Sequence, residues 1–129
     1  SLKGKRVGVQ QGTIQETYAK TYWAPKGVTV VPYPVQDLIY QDMMSGRLDA
    51  TLQDAIMVDG AFLKQPKGKN FAFAGGNVVD AKTLGVGAAI GLRKEDADLK
   101  ANINKALAAI IADGTYKKLE KKYFSFSIY

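Results

Sequence analysis

Between residues 1 and 53 the chain alternates short β-branched runs with helix-patterned stretches, and this alternation restricts its fold more than any other feature. Arg6-Val7-Gly8-Val9-Gln10 follows a Gly-containing turn and reads as a strand. Thr13-Ile14-Gln15-Glu16 has the S/T-x-x-E form of a capping box, with Thr13 capping the amides of a helix from Ile14 to about Trp23. Pro25 and Gly27 stop that helix. Val28-Thr29-Val30-Val31 is the second strand. Val35, Leu38, Ile39 and Met43 recur at helical spacing, and Gly46 stands where a helix ends on a left-handed residue. Leu48-Asp49-Ala50-Thr51-Leu52 supplies a third, short strand. The order βαβαβ, with connections this short, belongs to an α/β fold with a mostly parallel sheet.

The pattern then loosens. Asp54 sits just beyond the third strand, and Ala55-Ile56-Met57-Val58 opens a helix to about Lys64. Gln65-Pro66-Lys67-Gly68-Lys69-Asn70 is a turn-rich loop. Phe71-Ala72-Phe73-Ala74 and the stretch from Gly85 to Arg93 read as further strands. Asp96 or Asp98 opens a long helix with Leu99, Ile103, Ala106, Leu107 and Ile110 on one stripe. Gly114 ends it, Thr115 caps a last helix, and Tyr116, Leu119 and Tyr123 are expected on its buried face. There is no internal repeat, and the seam falls near Gly85, which divides the chain into 1–85 and 86–129.

Composition narrows the chemistry. With no Cys there are no disulfides, thiolate metal sites or cysteine nucleophiles, and with no His the commonest general base is gone. No cofactor, no metal and no enzymatic activity are expected. An enzyme on this scaffold would need a paired acid and base in its cleft, and only Asp54 is well placed. The 18 Lys+Arg against 12 Asp+Glu give a formal charge of +6. Lys117, Lys118, Lys121 and Lys122 cluster on one helix interrupted by Glu120, which reads as a solvated face and not as a nucleic-acid patch. Asp37, Asp42 and Asp49 lack metal-ligand spacing, and Tyr18, Tyr22 and Trp23 read as packing for the first helix. Ser1–Arg6 has no apolar h-region, so no signal peptide is expected in this sequence.

Two places invite a ligand. Gly12–Glu16 joins a strand end to a helix start, where amides and the helix dipole favour a carboxylate or phosphate. Plain capping by Thr13 explains the same residues. Asp54 lies at the same kind of edge, where open α/β sheets bind ligands, and a carboxylate there can hold an ammonium group. It can equally be the N-cap of the helix that follows. Together the two suit a zwitterionic amino acid better than either does singly.

The residues also resemble a family. Leu2-Lys3-Gly4-Lys5-Arg6-Val7-Gly8-Val9, Gln11-Gly12-Thr13, Gln15-Glu16-Thr17, Ser45-Gly46-Arg47-Leu48-Asp49-Ala50 and Leu52-Gln53-Asp54 carry the likeness. Phe62-Leu63-Lys64-Gln65-Pro66, Gly91-Leu92-Arg93-Lys94 and Asp113-Gly114-Thr115-Tyr116 through Lys121-Lys122-Tyr123-Phe124 extend it along nearly the whole chain. The sequence resembles the C-terminal half of periplasmic amino-acid-binding proteins of ABC transporters, in the lysine/arginine/ornithine and histidine group.

That resemblance implies a three-layer sandwich of the periplasmic binding protein-like (type II) kind. It makes 1–85 the second lobe, and 86–129 a strand and two helices that in the family pack on a first lobe. It implies a periplasmic protein that hands a basic amino acid (arginine, lysine, ornithine or histidine) to a membrane permease. By position, Asp54 matches the residue on the ligand α-ammonium, Gln15 and the Thr13–Ile14 turn match contacts near the carboxylate and side chain, and Gln10 matches a residue of the pocket wall. Ile14 stands where the family usually has Thr, which keeps the amide and loses a hydroxyl. The alternative is an isolated lobe of little affinity that self-associates, for instance as a homodimer exchanging its C-terminal segment.

Overall fold

The computed structural model describes residues 1–85 and 87–128. They fall into two compact units, Ser1–Gly87 and Ala88–Tyr129.

The first unit is built on β1 (Arg6–Gln10), β2 (Thr29–Tyr33) and β3 (Ala50–Thr51), in the order β2-β1-β3. All pairing is parallel: β1 runs beside β2 from Arg6↔Thr29 to Gln10↔Tyr33, and beside β3 at Val7↔Ala50 and Gly8↔Thr51. The first crossover passes through α1 (Ile14–Tyr18), and the second, through α2 (Gln36–Met44), returns across β1 to the other side. Right-handed crossovers that travel in opposite directions leave their helices on opposite faces of the sheet.

The side chains agree with that layering. Val7 and Val9 are fully buried on one face of β1, and Gly8 points to the other. A Cβ at Gly8 would come within 2.6 Å of Leu48 Cδ1 and 2.9 Å of Ile39 Cγ2. Glycine is therefore what lets α2, through Ile39, lie close on the central strand. The α/β, three-layer, parallel-sheet expectation describes this unit.

Several local expectations change. The first helix is α-helical only to Tyr18 and continues as a π-helical turn, Ala19–Trp23, and a 3₁₀ turn, Ala24–Lys26. The wider turn aligns Tyr18 with both Tyr22 and Trp23, their ring centroids 5.0 and 5.5 Å away. β2 starts one residue later than expected and runs through Pro32, which an edge strand tolerates because its outer side needs no N–H donor. α3 (Ala55–Val58) likewise passes into a π-helical turn, Asp59–Leu63, followed by a 3₁₀ turn, Pro66–Gly68.

Two expected strands do not form. Residues 71–74 and, of the stretch 85–93, the described residues carry no strand; Val86 lies outside the described residues. A strand needs a neighbour with free ladder groups, and Phe71 instead packs on Phe62, ring centroids 5.1 Å apart. Alternating small residues with glycine offer little side chain to bury against a sheet.

The second unit holds α4 (Ala97–Ala112) and α5 (Thr115–Tyr123). Asp96 precedes α4, but its carboxylate accepts from Arg93 Nε at 2.9 Å and Arg93 Nη2 at 3.2 Å and does not cap the helix. Thr115 is not the cap of α5 either. It is the first helical residue, and Asp113 Oδ1 accepts its amide at 2.8 Å while Gly114 turns the chain at φ 80°. The stripe read as a buried face is largely in the open: Leu99, Leu107, Leu119 and Tyr123 are all exposed, and neither helix buries a residue fully.

Candidate functional site

β1 and β3 lie side by side and point the same way, so the chain leaves both at one edge of the sheet. Gln10 ends β1 and leads into the Thr13 turn; Thr51 ends β3 and leads to Asp54. The two strand ends are tied together there. Leu52 N donates to Gly8 O at 3.2 Å, and Thr51 Oγ1 donates to the same carbonyl at 2.9 Å.

The Thr13 turn is capped at Thr13, and Glu16 folds back one residue beyond the amide that a capping box would use. Thr13, in extended conformation, accepts the Glu16 amide on Oγ1 at 3.2 Å and donates its hydroxyl to Gln10 O at 2.7 Å. Glu16 reaches back, Oε2 accepting the Gly12 amide at 2.6 Å, while Oε1 pairs with Lys20 Nζ at 2.7 Å. The hydrogen bond from Lys20, and after it that from the Gly12 amide, holds the Glu16 carboxyl below its ordinary pKa. The turn is thus fixed by its own residues, with Gln15 half-buried and Ile14 exposed. As at any helix start, the amides of Ile14 and Gln15 have no carbonyl one turn back.

Asp54 is the N-cap of α3: Oδ1 accepts the Met57 amide at 3.0 Å, and the residue is exposed. A carboxylate has lone pairs to spare after one such bond, so capping fixes its aim without using up its capacity. The capping and ligand-binding alternatives therefore do not compete at this residue. Around it the edge is apolar, with Ile14, Ile56 and Met57 50%, 40% and 63% exposed.

The sequence-predicted residues Gln10, Thr13, Ile14, Gln15 and Asp54 accordingly fall on one edge, at adjacent strand ends, and they line an open surface. Two concavities lie elsewhere. One, of about 230 Å³, is lined by Leu2, Lys3, Trp23 and Lys26 among others, and one of about 190 Å³ by Tyr18, Tyr22, Val79 and Asp80 among others. Among the described residues no acidic or other cluster could hold a metal ion, and no helix is long and apolar enough to cross a membrane.

Sequence reasoning passed over Gln53 and Tyr40. Tyr40 OH donates to Gln53 Oε1 at 3.0 Å, directly beside Asp54. The only signal for this pair was the position of Gln53 next to Asp54; the partner lies across the fold and no local spacing announces it.

Comparison with known proteins supplies the family. Residues 4–126 match the model of the bacterial extracellular solute-binding proteins, family 3. The chain is 56% identical over 129 residues to the histidine-binding periplasmic protein of Escherichia coli K12, covering all of this chain and 50% of that protein. It is 57% identical, with the same coverage, to the lysine/arginine/ornithine-binding periplasmic protein of the same organism. Among solved structures, an arginine-specific periplasmic binding protein of Salmonella typhimurium superposes with a TM-score of 0.66 at 27% identity, over 96% of this chain and 53% of that one. An ancestral arginine-binding protein bound to arginine gives 0.58 at 32% identity, over 96% and 52%. The chain spans about half the length of the relatives it matches. It belongs to family 3 of the bacterial extracellular solute-binding proteins.

Proposed function

We propose that the C-terminal sheet edge of the first unit is half of an amino-acid site, one jaw of a clamp whose other jaw lies outside this sequence. In this reading 1–85 is the second lobe of a periplasmic solute-binding protein, and 86–129 is the segment that packs on the first lobe. The protein binds and carries, and does not catalyse. Asp54 holds the ligand ammonium by charge-assisted hydrogen bonds. The amides of Ile14 and Gln15, with the positive end of the helix dipole, face the carboxylate. The Gln15 side chain contributes near the ligand side chain, and Gln10 forms part of the wall. A basic amino acid, delivered to a membrane permease, is the ligand class, as the names of the relatives suggest.

The observation that carries this reading is the pairing: a fixed carboxylate and a capped helix start at neighbouring strand ends, in a family of binding proteins. Half a clamp binds weakly because the opposing contacts are absent. Calorimetry with L-arginine, L-lysine, L-ornithine and L-histidine should give dissociation constants weaker than about 1 μM, an interaction of less than roughly 8 kcal/mol, and Asp54→Ala should abolish the binding. Sub-micromolar affinity in the isolated chain, or unchanged affinity in the Asp54 variant, would remove the half-site reading.

The exposed stripe of the second unit favours a second reading, in which two chains exchange residues 86–129 and cover each other's Leu99, Leu107 and Ile111. Light scattering over a concentration series should then show a dimer; a monomer at every concentration excludes the exchange.

A further inference from the structure

We infer that the Tyr40–Gln53 hydrogen bond is a positioning device for Asp54, so that Tyr40 and Gln53 set the aim of the carboxylate without touching the ligand. The inference rests on the half-site reading for its ligand, and on the geometry alone for the positioning.

Tyr40 is 3% exposed and stacks flat on Phe62, ring centroids 4.4 Å apart and planes 2° from parallel. Phe62, itself fully buried, and Val58 form one cluster with Tyr40. Both belong to the helical segment that Asp54 caps. The contacts make a closed circuit. Asp54 caps α3; α3 and its π-helical continuation carry Val58 and Phe62 onto Tyr40; the Tyr40 hydroxyl bonds Gln53; and Gln53 is the residue before Asp54.

The far side of the circuit is held tight as well. A Cβ on Gly68 would lie 2.0 Å from Phe62 O, so the Pro66–Gly68 turn presses against the Phe62 backbone. Lys67 Nζ sits 5.4 Å from the Tyr40 ring centroid, a cation–π contact. Tyr40 therefore cannot shift alone, and its hydroxyl is a fixed donor.

Gln53 is equally committed. Its Oε1 accepts the hydrogen bond from the Tyr40 hydroxyl, and its Nε2 is buried without a partner, as is Gln36 Oε1 at the start of α2, one helical turn before Tyr40. A buried, unmatched donor is costly to keep. A hydrophobic side chain at position 53 would avoid that cost but would give up the link to Tyr40. The residue's chemistry is explained by the hydroxyl it accepts from and the carboxylate it adjoins.

The test uses Tyr40→Phe, which keeps the stack and removes only the hydroxyl, together with Gln53→Leu and the double variant. Hydrogen exchange at the Met57 amide, which bonds Asp54 Oδ1, is read against the amides of β1 as internal reference. L-arginine affinity is measured in parallel. Each single variant should speed Met57 exchange relative to β1 and weaken arginine binding by roughly two- to tenfold, the worth of one hydrogen bond. The double variant should add nothing further. Gln53→Glu keeps an acceptor for the hydroxyl and should restore Met57 protection. If both single variants exchange at Met57 and bind arginine as the parent does, or only slow and speed all amides together, the positioning role is wrong. If the parent chain does not bind arginine at all, the half-site reading fails, and Met57 exchange still decides the positioning claim.

Discussion

Both units carry helical patterning, yet among the described residues the buried hydrophobic side chains all belong to the first. Val7, Val9, Ala19, Ile39, Leu48 and Phe62 of the first unit are 4% exposed or less, while Leu99, Leu107 and Leu119 of the second are 47%, 37% and 51% exposed. The difference lies in what each pattern has to pack against. The stripe of α2 meets the sheet, and Val58 and Phe62 of the α3 segment meet Tyr40 of α2, all within a short length of chain. In the second unit the stripe of α4 packs beside α5, yet Leu99 and Leu107 stay exposed, so the hydrophobic periodicity there marks a face that these two helices leave open.

The sharpest way to break this comparison is to cut one large side chain from each unit. Phe62→Ala empties a fully enclosed site and should cost roughly 3–5 kcal/mol in urea denaturation of the whole chain. Leu107→Ala removes a partly solvated group and should cost no more than about 0.5 kcal/mol. A Leu107 variant as damaging as the Phe62 one would mean that the α4 stripe is covered in solution, which is what segment exchange requires.

Overpacking gives the same contrast with the opposite change in volume. Gly8→Ala puts a methyl against Leu48 and Ile39 and should destabilise by roughly 1–3 kcal/mol. At Gly91 a Cβ would meet nothing within 4 Å, so Gly91→Ala should stay within about 0.5 kcal/mol of the parent. Equal effects at the two positions would deny that the β1–α2 contact is tighter than anything around residue 91.

Acid should weaken the first unit. Arg47, and then the Tyr33 hydroxyl, hold the Asp42 carboxyl below its ordinary pKa; the Arg6 amide, and then Lys5, do so for Asp49. Glu16 and Asp80 are lowered too, the latter chiefly by the Thr83 side chain, and so is Asp113 of the second unit, chiefly by the Thr115 amide. A carboxyl whose pKa is lower in the folded chain binds its proton more readily when unfolded, so its contribution is present above the unfolded pKa and lost as pH falls through the folded one. Thermal melts should be level from about pH 5 to 8, where no His titrates, and should drop below about pH 4. Asp49 and Asp113 are exposed, and Glu16, Asp42 and Asp80 are half-buried at the surface where water still screens them, so this effect is the smallest of the three. A transition between pH 5 and 8 would contradict it.

How far the sequence disclosed all this follows the range of the interactions. The cap at Thr13 and the stop at Gly46 are local, and the chain adopts them, with Glu16 folded back onto the Gly12 amide. The order βαβαβ was legible because β-branched runs and helical spacing sit in short alternation. The absent strands at 71–74 and 87–93 were not, because a strand exists only through a neighbour. Asp54 was legible from its place after a strand, and its cap to Met57 was one of the two readings that place allowed. Tyr40 and Gln53 stayed hidden, since thirteen positions separate them and only the fold brings them together. Asp96 and Thr115 look like caps, but Arg93 takes the first carboxylate, and Asp113 reaches the Thr115 amide.

The central claim is that the sheet edge carrying Asp54 and the Thr13 turn is one jaw of an amino-acid clamp. An NMR titration of the ¹⁵N-labelled chain with L-arginine addresses it most directly. The account predicts weak, saturable shifts at the amides of Gly12–Glu16 and Asp54–Met57, with the amides of α4 and α5 unmoved, and their loss in Asp54→Ala. Shifts confined to α4 and α5 or to the Trp23–Lys26 concavity, or shifts at the sheet edge that persist in Asp54→Ala, would contradict it.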